Sequence, residues 1–301
     1  MEQSSQIKYE EEFFLTRGLK LFTCRWVPLN QQPKALICLC HGYGMECSIF
    51  MQGVGIRLAK AGYAVFGIDY EGHGKSGGKR CYIESFKELV NDCASFFKSI
   101  AGIEEYKDKA RFLYGESMGG AVSLLLHRKL PTFWNGAVLV APMCKIAEDV
   151  KPHPILISVF NSLTRIVPTW KIVPARDIID TAFKEPSARQ EIRANPYIYQ
   201  GKPRVKTAYE LLLTSTALES RLDEVTLPFL VVHGMDDSVT DPCVSMELHK
   251  SAASFDKTLK LYPDMWHGLT YGEPPHNTQL VFNDIIGWLD ERSKAGCLTS
   301  V

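Results

Sequence analysis

Neither sign of charge is in excess: 34 lysines and arginines meet 34 aspartates and glutamates along 301 residues. Without a basic stripe to neutralise phosphates, nucleic acid is excluded as a partner. The nine cysteines are odd in number and include no C-x-x-C pair. That argues against a zinc site or a disulfide scaffold and predicts reduced, mostly buried thiols. No apolar run reaches the ~18 residues of a membrane span, and the opening MEQSSQIKYEEEFF lacks the basic-then-apolar order of a secretory signal. In CLTSV, Cys297 stands fifth from the end, one place away from the prenylation position. Repeats and low-complexity tracts are missing as well. Together these absences predict a soluble, cytoplasmic protein.

What is present is alternation. Short apolar, β-branched runs (IKYEEEFFLT, LKLFTCRWV, ALICLCHG, YAVFGIDY, ARFLYG, GAVLVAPM, PFLVVHG and TLKLYP) are separated by stretches of helical period such as SFKELVNDCASFFKSIAG and TQLVFNDIIGWLDERS. The pattern predicts the α/β class: a mostly parallel eight-stranded sheet, entered by an N-terminal hairpin and covered by helices on both faces. From Cys144 to Val225 the alternation stops for about eighty residues rich in proline. A structureless loop of that length is unusual inside a compact domain. The expected organisation is therefore a core from 1–143 and 207–301, with a helical cap, or lid, inserted at 144–206 after strand six.

Two stretches carry the G-x-S-x-G pattern: Ser76 in EGHGKSGG and Ser117 in GESMGG. The first also contains Gly-Lys-Ser, but a phosphate-binding loop would require glycine where Asp69 stands. A nucleophilic serine of this pattern needs a sharp turn between a strand and a helix, which lifts its hydroxyl above the sheet edge. ARFLYG enters GESMGG and MGGAVSLLLHRKL leaves it, whereas Ser76 lies well past YAVFGIDY and is followed by GGKRCYIE. Ser117 is the expected nucleophile. His73 is expected to tie its loop down by hydrogen bonds.

A hydroxyl needs a histidine to take its proton, and the histidine needs an acid to hold its tautomer. In this architecture the chain order is serine, acid, histidine. His41, His73, His127, His153 and His233 come too early, and His249 and His276 suit solvated positions. His267, in DMWHGL just after TLKLYP, remains. The acid should follow PFLVVHG, where GMDDSVTD offers Asp236, Asp237 and Asp241. Asp237, with Gly234 three residues before it, is preferred; Asp236 is the fallback and should face solvent, and Asp241 before Pro242 reads as a helix cap. Two N–H donors should hold the oxyanion: those of Met118, at the start of a helix, and of Tyr43 in His41-Gly42-Tyr43-Gly44.

These motifs, with VAPMCKIAEDVKP and KTAYELLL, resemble the serine-hydrolase branch of the α/β-hydrolase superfamily, and more narrowly the monoacylglycerol lipase family. The wording looks most like plant members, variously called monoacylglycerol lipases, lysophospholipase-like proteins and caffeoylshikimate esterases. The resemblance implies a Ser117, Asp237 and His267 triad, a Tyr43 and Met118 oxyanion hole, no metal or cofactor, and a small ester as substrate. That ester would be an acylglycerol, a related lipid or a phenolic ester. Two departures stand out. Animal members carry cysteine where this chain has Thr240, so the leaving-group pocket should be built differently. None of the histidines has an aspartate five residues on, so an acyltransferase activity sometimes credited to plant relatives does not carry over. A non-catalytic small-molecule receptor of the same fold is the alternative from another class. Within the cap, Ile155, Leu156, Val159, Phe160, Leu163 and Ile166 would either pack on the core, line an acyl tunnel, or rest weakly on a membrane or lipid droplet.

Overall fold

The computed structural model describes residues 7–144, 154–172 and 177–295. Strands β1 (Ile7–Thr16) and β2 (Leu19–Pro28) form the expected hairpin, joined by Arg17 and Gly18. Both turn residues have positive φ, 48° and 74°, the backbone a two-residue hairpin requires. Then follow β3 (Leu36–Cys40), α1 (Gln52–Lys60), β4 (Ala64–Ile68), α2 (Phe86–Ala101), β5 (Arg111–Glu116), α3 (Met118–Lys129) and β6 (Gly136–Val140). Helices α4 (Pro154–Ile166), α5 (Ile178–Ala182) and α6 (Pro186–Ala194) occupy the stretch where the alternation stops, and α7 (Val205–Glu219) returns to the sheet. β7 (Phe229–Gly234), α8 (Pro242–Ser251), β8 (Lys257–Tyr262) and α9 (Pro275–Ala295) complete the chain.

The eight strands form one sheet in the order β1-β2-β4-β3-β5-β6-β7-β8, parallel from β4 onward. Strands buried on both faces read as continuous apolar runs, and alternate side chains feed two separate cores. Leu36, Cys38 and Cys40 face α2, α3 and α8, while Ile37 and Leu39 face α1 and α9. Fully burying one such side chain stabilises by about 1.5–3 kcal/mol, so the two layers hold the sheet in place as a scaffold. Asp241 accepts a hydrogen bond from Cys243 N at 2.8 Å and caps α8, which begins at Pro242. Likewise α9 opens at Pro275, so His276 is an exposed residue of its first turn and not of a loop. In both cases a proline at the first helical position supplies the start.

Seven of the eight described cysteines are buried thiols and Cys243 is exposed; none is in a disulfide. Cys297, His153 and the stretches 145–153 and 173–176 lie outside the described residues, as do the side chains of Ile155, Leu156 and Val159. Phe160 on α4 meets Tyr209 on α7 edge to face. The α5–α6 region and the residues after it reach the loops at the C-terminal ends of the strands. Gly268 N donates to Ala182 O, Tyr199 N to Gly44 O, each at 2.8 Å, and Asn195 Nδ2 to Glu46 at 2.9 Å. Among the described residues no helix is long and apolar enough to cross a membrane.

Candidate active site

Every candidate residue sits at the C-terminal edge of the parallel strands, where open α/β sheets present their loops. Strand β5 ends at Glu116 and α3 begins at Met118, leaving Ser117 alone in the turn with φ 53° and ψ −117°. A non-glycine residue at positive φ is strained, and here neighbours hold it. Its N–H donates to Val140 O at 3.0 Å and its carbonyl accepts from Gly120 N and Met143 N, both at 2.9 Å. The flanking glycines are a matter of space. A Cβ on Gly119 would overlap the Cys40 carbonyl oxygen, and one on Gly115 the Gly119 carbonyl oxygen.

The other serine is differently placed. Ser76 Oγ donates to Asp69 O at 2.6 Å and accepts from Phe22 N at 2.8 Å, so its hydroxyl is engaged inside the loop after β4. In the same loop Asp69 accepts from Cys47 N at 2.7 Å and Lys75 N at 2.9 Å, and burial pushes its carboxyl up to about 7. His73 Nδ1 lies 3.0 Å from Glu71 O, which ties the loop; among the described residues its buried Nε2 meets no partner. EGHGKSGG is thus a braced loop. It holds neither a phosphate cradle nor a free serine hydroxyl.

Asp237 lies in the loop after β7, fully buried at its carboxylate. Oδ1 accepts from Val239 N at 2.7 Å and Thr240 N at 3.0 Å. Oδ2 meets His267 Nδ1 at 2.7 Å, Thr240 Oγ1 at 2.9 Å and His233 Nε2 at 3.0 Å. Burial pushes this carboxyl up, but the charge of His267 and hydrogen bonds from His233 and His267 outweigh it, so the group is held below the usual carboxylate range. Asp236 is exposed, as expected, and Asp241 is spent on α8. His267, on the loop after β8, uses Nδ1 toward Asp237, which leaves Nε2 for the cavity that His267 and Ser117 both line.

That cavity measures about 90 Å³. Met45, Phe50, Val140, Ile178, Phe183, Val239 and Tyr271 make it largely apolar, while Glu116 and Thr270 add polar groups. A second cavity of about 280 Å³ shares Tyr43, Met45 and Ile178 with it and continues past Ile198 and Tyr199 to Lys202. The loop after β3 borders both. A Cβ on Gly42 would stand 3.5 Å from Ser117 Cβ, so this loop lies against the serine. Among the described residues, no protein acceptor meets the N–H of Tyr43 or of Met118. Two unpartnered donors beside a serine are what an oxyanion requires.

Sequence reasoning passed over three buried residues. His233, set aside by chain order, shares the Asp237 carboxylate. Glu116 lines the cavity next to Ser117, accepts from Thr270 Oγ1 at 2.7 Å and Tyr114 OH at 2.8 Å, and is raised by burial. Glu46 accepts from Ser48, Ile49, Phe50 and Asn195. Only Glu116 left a sequence signal, a carboxyl inside the serine motif itself. Thr240 turns its hydroxyl to Asp237, and it is the neighbouring Val239 that lines the cavity. Among the described residues no cluster of His, Cys, Asp and Glu is arranged to hold a metal ion.

The profile of the family described as serine aminopeptidase, S33, matches residues 31–275, spanning every element of the site. The chain belongs to this α/β-hydrolase family. Among similar proteins, a caffeoylshikimate esterase of Arabidopsis thaliana is 37% identical over 97% of this chain and 88% of its own. A monoglyceride lipase of Mus musculus is 30% identical over 93% of this chain and 91% of its own. In fold, a soluble variant of monoglyceride lipase from Saccharomyces cerevisiae, solved with a substrate analog, superposes with a TM-score of 0.83 at 21% identity, covering 96% of this chain and 97% of that one. This α/β-hydrolase is therefore similar over nearly its whole length to proteins named as an esterase and a lipase.

Proposed function

We propose that this α/β-hydrolase cleaves carboxylic esters through a Ser117 acyl-enzyme, with His267 as base, Asp237 as its partner acid, and monoacylglycerols as favoured substrates. The observation that carries the reading is the 2.7 Å hydrogen bond from His267 Nδ1 to Asp237 Oδ2, on the histidine that shares a cavity with the strained Ser117.

His267 Nε2 takes the hydroxyl proton as Ser117 Oγ bonds to the ester carbonyl carbon, and the N–H groups of Tyr43 and Met118 hold the oxyanion. Collapse breaks the bond to the alcohol, which leaves with the proton from His267. Water, giving a proton to the same nitrogen, then attacks the acyl carbonyl; Ser117 regains its proton and the acid departs. Every proton travels through His267, so the cycle requires no metal or cofactor.

The apolar lining supports a fatty acyl group in the cavity. Residues 144–206 act as a cap over it in this reading, supported by the contacts of Ala182, Asn195 and Tyr199 with the loops around Ser117. Ile166, Trp170 and Ile172, with 77%, 59% and 51% exposure, give that cap an apolar edge for weak peripheral contact with a membrane or lipid droplet in the cytoplasm. A second reading, a phenolic ester such as caffeoyl shikimate, is favoured by the 37% identical relative and by Phe50, Phe183 and Tyr271 in the lining. A lysophospholipid would use the same chemistry. A non-catalytic receptor is disfavoured by a complete serine, histidine and aspartate set.

The test compares kcat/KM on a monoacylglycerol, a lysophospholipid and caffeoyl shikimate. The expected result is a monoacylglycerol preference of at least about tenfold, the discrimination that a fitted apolar pocket supplies. A larger value for caffeoyl shikimate replaces the substrate. Absence of turnover on all three and on p-nitrophenyl esters overturns ester hydrolysis itself.

A further inference from the structure

His233 is wholly buried at the end of β7, and both of its ring nitrogens are engaged. Nε2 faces two acceptors, Asp237 Oδ2 at 3.0 Å and the Thr240 carbonyl at 2.9 Å. A nitrogen between two acceptors must carry the hydrogen, so the neutral ring is fixed as the Nε2–H tautomer. Nδ1 is then left to accept from Ser245 Oγ on α8 at 2.6 Å. The result is a continuous chain of hydrogen bonds from Ser245 through His233 and Asp237 to His267. Three groups converge on Asp237 Oδ2, and two of them are imidazoles.

We propose that His233 is a positioning residue for the proposed reaction, its Nε2–H holding Asp237 Oδ2 toward His267 Nδ1. The inference rests on the reading of Asp237 as the acid. Main-chain N–H groups bind Oδ1, and Oδ2 is bound by His233, Thr240 and His267, so among the described residues the loss of His233 leaves only Thr240 to orient Oδ2 toward His267. Thr240 is a poor substitute, because its hydroxyl has a single hydrogen to donate and Oγ1 also lies 3.2 Å from the Ala141 carbonyl oxygen. A donated hydrogen bond also takes up part of the carboxylate charge. With His233 removed, Asp237 would pull harder on the proton of His267, and the histidine would lose that proton at higher pH. The charged groups near His267 are Asp237 itself and Glu116, and the second is unchanged by any substitution at 233.

The experiment measures pH profiles of kcat and KM on a soluble p-nitrophenyl ester for the full chain and for His233→Phe, His233→Gln, Ser245→Ala and Asp237→Asn. Turnover is normalised to sites labelled by a fluorophosphonate, so that loss of folded protein is divided out. For His233→Phe the expected result is kcat about tenfold lower with KM little changed, less than the ~100-fold that a 1 Å misplacement can cost. The acid limb should move up by about half a pH unit, the direction expected when the neighbouring Asp237 carboxylate keeps more of its negative charge beside His267. His233→Gln, which keeps an N–H donor, should restore most of both. An unmoved limb and unchanged normalised kcat in His233→Phe overturn the proposal. If that variant does not fold, Ser245→Ala decides: it should shift the limb in the same direction, and an unmoved limb overturns the proposal. Asp237→Asn separates the two levels. Retained turnover there sinks the triad reading, whereas loss there with wild-type behaviour in His233→Phe sinks only the role of His233.

Discussion

Asn195 donates from Nδ2 to the buried Glu46 carboxylate at 2.9 Å, joining two residues 149 positions apart in sequence. Glu46 also accepts from Ser48, Ile49 and Phe50, and the same loop after β3 includes Tyr43. The contact therefore couples the residues after α6 to the loop that would hold the oxyanion. Asn195→Leu should lower stability by about 1–3 kcal/mol, because the Glu46 charge stays buried with one donor fewer. It should also raise KM. Thermal unfolding and steady-state kinetics check this, and a variant with wild-type Tm and KM would show the coupling to be idle.

The two serines should part under a covalent probe. Ser117→Ala is expected to abolish ester hydrolysis and fluorophosphonate labelling. Ser76→Ala should keep its labelling and lose about 1 kcal/mol of stability, since it gives up hydrogen bonds to Asp69 O and Phe22 N. Labelling that survives in Ser117→Ala would move the nucleophile elsewhere.

Two glycine substitutions should have opposite signs. A Cβ at Gly119 runs into the Cys40 carbonyl oxygen, a main-chain atom that cannot rotate away. Gly119→Ala should cost about 1–3 kcal/mol or more and spoil the serine turn. Gly53 in α1 has nothing within 4 Å of an added Cβ. Gly53→Ala should stabilise by about 0.5–1 kcal/mol through helix propensity. Paired denaturant titrations read both, and equal effects would refute the steric account.

His73 supplies a pH test. Burial, with His41 nearby, pushes it down to about 3, while in the unfolded chain it titrates near 6.5. As pH falls below 6.5 the unfolded chain takes up a proton that the folded one refuses. The depressed group therefore contributes stability above 6.5 and loses it toward pH 3. His73→Gln should become more stable relative to wild type by about 1.4 kcal/mol for each pH unit lowered through that window. Asp69 and Glu116 are present in both proteins and cancel in the difference. A difference independent of pH between 6.5 and 4.5 would contradict a buried neutral His73.

Local pattern made the sheet legible, and distance hid the rest. All eight strands stand on the runs expected for them, and the central five, β3 to β7, read as apolar runs because a strand buried on both faces has little freedom in composition. Ser117 was readable since its requirement, strand before and helix after, is met within ten residues of sequence on either side. His267 and Asp237 followed from chain order and loop position. His233 did not, because a rule that ranks histidines by order along the chain cannot see a second imidazole sharing the Asp237 carboxylate. Glu46 and Asn195 were hidden for a related reason. Neither has a local cue, and their partnership exists only once the segment after α6 is laid over the loop after β3.

Tyr43, Ser117, Asp237 and His267 are carried by loops after four different strands, β3, β5, β7 and β8. Ser117 itself is pinned by Val140 and Met143, which follow it in the chain. If these residues act as proposed, a nascent or refolding chain would have no reactive serine until the last parallel strand has docked. Labelling by a fluorophosphonate during refolding would serve as a clock for closure of the sheet, reporting the slowest long-range pairing and not the early local helices.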